Sequence, residues 1–143
     1  MPLRTLSRLA PLALVALLSL GHSDNGGCGS GGNDDEPENE GTATGALCPQ
    51  TDAPTAQSFG TAFLQTYCLS CHSASVTGAA RKNAPTDTNF DTLDEVRMHA
   101  THMDMHAAAG PNGTNTEMPP ANRPQPTQQE RVTLGQWLAC GAP

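Results

Sequence analysis

The sequence predicts an all-α domain of three to four helices over residues 46–143, on three observations. Apolar residues recur at three- and four-residue spacing in three separate stretches, with long loops between them. Two of the stretches carry recognisable end signals. With only three Phe, one Tyr and one Trp in the whole chain, the domain has a thin apolar core. Helices this sparsely filled need extra apolar volume to be stable.

The first helix is expected from about Ala56 to Tyr67, with Phe59, Phe63, Leu64 and Tyr67 forming its stripe. The second runs from Asp91 to Ala109, where Gly110 and Pro111 stop it. Its apolar positions Leu93, Val96, Ala100, Met103 and Ala107 share one face. Counted around the same helix, His99, His102 and His106 fall on the shoulder of that stripe, mostly facing away from its centre. Met98 and Met105 lie further round, whereas Met103 sits within it. The third helix opens at Thr127, with Glu130 three residues on as a capping box, and carries Val132, Leu134, Trp137 and Leu138.

The first 45 residues differ from the rest. Arg4 and Arg8 precede an apolar run over residues 12–20. A basic end followed by a short apolar segment is the layout of a secretory signal, and the run is too short to span a bilayer. We therefore expect a signal over residues 1–21, with cleavage as late as 27/28, and export to a bacterial periplasm or cell envelope. Cys28 follows and opens a Gly/Asn-rich acidic stretch, which resembles a bacterial lipoprotein start with Cys28 as the lipid carrier. The residues before it, Asn25-Gly26-Gly27, depart from that pattern. Residues 22–45 carry six acidic and no basic side chains; a segment so polar is expected to be a disordered tether.

The chain's net charge is −7, and from residue 46 onward five basic residues face eight acidic ones. That balance disfavours nucleic acid, whose backbone is bound through Lys and Arg.

Five cysteines in one small exported chain call for an explanation. Two lie in the run Cys68-Leu69-Ser70-Cys71-His72. Cys-x-x-Cys-His is the attachment signal of c-type haem: two thiols take the vinyl groups and the following imidazole reaches the iron. A thioredoxin-like dithiol would need a preceding strand and βαβ context, and a zinc site a second ligand pair. Cys48 precedes the first helix and Cys140 ends the last, so a disulfide between them would close the domain and leave Cys28 unpaired.

From Cys48 to Pro143 the chain resembles the small mono-haem cytochrome c family in its bacterial form. The resemblance rests on the Cys68–His72 run, Gly60 eight residues before Cys68, Leu64 four before it, Trp137 in the last helix and Met118-Pro119-Pro120. It implies a fold wrapped around one covalent haem c held by Cys68 and Cys71. His72 would be its proximal ligand and Met118 its distal one, with prolines restricting the loop that presents the thioether. The expected activity is one-electron transfer between Fe(III) and Fe(II) by a monomer that docks transiently with redox partners, not an enzyme. The alternatives are a haem-binding subunit or sensor of a larger complex, or a peroxidase-like haem enzyme with an open sixth position. His102 and His106, at i,i+4, could also hold a surface metal ion.

Overall fold

The computed structural model describes residues 41–143. The expected signal segment and Cys28 lie outside the described residues, as does the expected tether up to residue 40. Where the chain enters view it is already packed: Thr44 is fully buried. Its backbone N–H and its hydroxyl donate to the two carboxylate oxygens of Asp104, at 2.8 and 2.5 Å. Thr42 exchanges hydrogen bonds with the Asn115 side chain. The domain thus begins before residue 46, because these short polar side chains find partners the sequence pattern does not reveal.

Helical structure starts at Thr55, whose hydroxyl accepts from the Ser58 N–H while Ser58 accepts from the Thr55 N–H. A wide π turn over Ala56–Gly60 leads into α1, Thr61–Tyr67. A short 3-10 turn, Gly78–Arg81, follows in the next loop. α2 spans Leu93–Met98 and α3 spans Ala100–Ala107. After α3 come two short strands, β1 (Ala109–Gly110) and β2 (Gly113–Thr114), and then α4, Gln128–Ala139.

The single helix expected over Asp91–Ala109 is two. His99 leaves the helical region at φ −102° and ψ 13°, and its N–H is shared between the Glu95 and Arg97 carbonyls. Its ring meets the edge of Phe90, with centroids 6.0 Å apart. The far end also stops early. Ala108 turns extended, and Ala109 pairs antiparallel with Thr114 around the Pro111-Asn112 turn. The all-α expectation is corrected accordingly to a mostly helical domain of four helices with one two-stranded ladder. Gly110 and Pro111 do stop the helix, but they do so by opening a hairpin.

α4 begins where its capping box places it, with Thr127 Oγ1 accepting from the Glu130 N–H at 3.2 Å and Glu130 accepting in return. Trp137 and Leu134 are fully buried. α4 crosses the first helix at Gly60, where a Cβ would lie inside the Trp137 indole. Phe63, Leu64, Val96, Met103 and Leu138 complete the core. The expected stripe of the second helical stretch faces this core: Val96, Met103 and Ala107 are buried, and Leu93 and Ala100 pack against it.

Cys48 and Cys140 are disulfide-bonded, with Cα atoms 4.7 Å apart and a sequence separation of 92. Closing so long a loop restricts the unfolded chain by about 4–5 kcal/mol in the chain-entropy model. The C-terminal carbonyls are tied in as well, with Arg97 donating to Gly141 and Ala142 and Trp137 Nε1 to Pro143.

Candidate functional site

α1 ends at Cys68, whose N–H still bonds the Leu64 carbonyl at 2.9 Å. The chain then turns tightly, with the N–H groups of Cys71 and His72 both donating to the Cys68 carbonyl, at 3.1 and 2.9 Å. This turn sets both thiols and the imidazole along the edge of one cavity of about 230 Å³. Cys68 and Cys71 are free thiols, each partly buried. Burial, with the neighbouring Cys71 adding to it, pushes the Cys68 thiol up to about 12. The C-terminal end of a helix disfavours a thiolate in the same sense.

His72 is fixed on two sides. Its Nδ1 lies 2.9 Å from the Thr88 carbonyl, so that nitrogen carries the proton and Nε2 is left for the cavity. Its ring stacks on Phe90, with centroids 4.9 Å apart, and its own carbonyl accepts from the Phe90 N–H. Burial lowers the His72 pKa against the opposing pull of the Thr88 bond, and the charges of Arg81 and His99 lower it further.

Across the cavity, Met118 sits on the loop between β2 and α4, about two-fifths exposed. Its N–H donates to the His106 carbonyl at 2.9 Å. Its carbonyl accepts from Arg131 at 2.8 Å. That guanidinium is almost fully buried and also donates to Ala107 and Asn115 carbonyls and to Gln125 Oε1. Arg123 bridges the Met118 loop to the thiol turn by donating to Ser70 Oγ at 2.7 Å.

Phe63, Tyr67, Phe90 and Met103 supply an apolar wall. Tyr67 also joins α1 to α4, donating to Glu130. Cys68, Cys71, His72 and Met118, named from the sequence, therefore line one cavity. His102 and His106 line it too, their ring centroids 4.2 Å apart. The helical count had turned them away from the stripe, but the break at His99 and the Met118 loop packed on α3 bring the cavity to them. His99 does not line it. Sequence reasoning missed Arg81 and Arg131. Their signal was rarity, since they are two of only five basic residues beyond residue 46.

No family model, curated protein or solved structure matches the chain. The expected membership in the mono-haem cytochrome c family is corrected on that finding. The bonded cysteines are Cys48 and Cys140, while Cys68 and Cys71 remain free. Among the described residues, no three His, Cys, Asp or Glu side chains gather as a metal centre. The cytochrome c fold, the covalent haem c, the iron ligation and the one-electron transfer are accordingly not retained as assignments. What stands is a mostly apolar cavity edged by two thiols, an oriented imidazole and a thioether.

Proposed function

We propose that the domain is a binding module whose cavity holds one largely apolar ligand, with Cys68, Cys71, His72 and Met118 as its contacts. One observation carries the reading: these four side chains, from two distant segments, converge on a single cavity with an aromatic and thioether wall. Ligand pockets combine a concave apolar lining with a few placed polar groups in this way.

Binding is favoured over thiol exchange by the setting of Cys68. Exchange enzymes lower the pKa of an attacking thiol at a helix N-terminus or beside cations. Cys68 instead ends a helix, and burial raises its thiol. The reading is therefore of a non-enzymatic module. Export to the periplasm or envelope, with Cys28 as a lipid carrier, is proposed alongside it; the Cys48–Cys140 bond supports an oxidising compartment.

The test compares the masses of the full chain, purified from an exporting host, under native and denaturing conditions. The reading expects a native mass above that of the chain. The extra mass should be lost on denaturation, because the cavity that holds it is lost with the fold. A native mass equal to that of the chain would refute it.

A further inference from the structure

Arg81 lies in the loop between α1 and α2, ends the short 3-10 turn and is only 4% exposed. Its guanidinium is fully engaged. Nε donates to the Ala84 carbonyl at 3.1 Å. Nη1 donates to the carbonyls of Ser73 and Val76 and to Asn89 Oδ1, at 2.8, 3.3 and 3.0 Å. Nη2 donates to the Pro85 carbonyl and, at 3.2 Å, to that of Thr88. None of these six acceptors is a carboxylate, although the nearby Asp91 carboxylate feels the charge; the six bonds gather residues 73–89 around one point.

One of those carbonyls has a second role. The Thr88 oxygen that accepts from Arg81 also accepts from His72 Nδ1. Arg81 thus holds the atom that sets the proton position and ring angle of the pocket's imidazole. A bond to one ring nitrogen decides which nitrogen is free to act.

We propose that Arg81 is the positioning residue of His72, its buried guanidinium fixing the Thr88 carbonyl that keeps the His72 proton on Nδ1 and Nε2 open to the cavity. The inference deepens the binding reading and rests on it for its purpose, because an oriented Nε2 matters only if the cavity takes a ligand. Lys82 and Asn83 both adopt positive φ, 55° and 70°, directly after Arg81. The backbone there reverses tightly enough to bring both flanks of the loop to one guanidinium.

The test reads the His72 tautomer in the full chain by ¹⁵N NMR, at a pH where the ring is neutral, in wild type, Arg81→Lys and Arg81→Ala. Wild type is expected to hold the Nδ1–H form. In Arg81→Ala the ratio of Nδ1–H to Nε2–H should fall about fivefold, the equivalent of one ordinary hydrogen bond of about 1 kcal/mol. Arg81→Lys keeps the charge but cannot span six acceptors, and should fall in between. A generic structural role would lower stability while leaving that ratio alone. A folded Arg81→Ala with the wild-type ratio overturns the proposal; if that variant does not fold, a folded Arg81→Lys with the wild-type ratio overturns it. The ratio is read without ligand, so a chain that shifts its tautomer yet carries no extra native mass would sink the binding reading alone.

Discussion

Cys68 should be a slow nucleophile for a reason that can be worked through. Its thiol is pushed from 9.0 to about 12, first by burial and then by Cys71. At about pH 8 a rise of that size leaves roughly a thousandfold less thiolate than in the unfolded chain. A more basic thiolate attacks faster, and a Brønsted slope of about 0.4–0.5 returns roughly 15–30-fold. The net expectation is alkylation about 30–60-fold slower at Cys68 in the folded chain, before any further loss from restricted access. The assay is pulsed iodoacetamide labelling of the full chain with both thiols free, native and in concentrated guanidinium, with peptide mapping by mass. Equal rates at Cys68 in the two conditions would refute the claim that the end of α1 buries this thiol. They would also reopen thiol exchange as the chemistry of the turn.

Other consequences follow from the packing. Gly60→Ala places a methyl inside the Trp137 indole, and overpacking of this kind should cost about 1–3 kcal/mol in chemical denaturation; an unchanged midpoint would mean that the two helices do not cross there. Arg131→Ala strips the donor from the Ala107, Asn115 and Met118 carbonyls and should cost roughly 3 kcal/mol. It should also make the Met118 loop more open to proteolysis than the rest of the domain. The pH dependence has a defined sign. The His72 pKa is lowered in the fold, so the unfolded chain takes up its proton first. The stability tied to it is present above about 6.5 and lost as pH falls towards the folded value. Glu130, lowered chiefly by its bonds to Thr127, adds a further loss below about 4.3. Urea midpoints should therefore decline in two steps, and His72→Gln should remove the upper one.

Much of the architecture was legible because local rules and tertiary packing agree. The Thr127 capping box, the stripe of α4 and the buried face of Val96, Met103 and Ala107 all read directly from spacing. The break at His99 was not legible, because apolar spacing continues through it and the ring that His99 meets there, Phe90, lies nine residues back. The hairpin after α3 was hidden for a related reason: two residues per strand are too few to alternate. Thr42 and Thr44 read as tether because their partners, Asn115 and Asp104, are 60 or more residues away. At the site, the Cys68–His72 run named the groups but not their surroundings. Arg81 and Arg131 shape the cavity by holding carbonyls, and a carbonyl leaves no trace in a sequence. The family resemblance outran what its few residues carried, since the Cys68–His72 run, Gly60, Leu64, Trp137 and Met118-Pro119-Pro120 do not fix a family when no comparison joins them.

The most direct test of the central claim is an experimental structure of the full chain as purified from an exporting host, read at the cavity. The account predicts density for one bound, largely apolar group in contact with Cys68, Cys71, His72 Nε2 and Met118 Sδ, with His72 Nδ1 still on the Thr88 carbonyl. A cavity filled with water, or a bond between Cys68 and Cys71 closing the turn on itself, would contradict it.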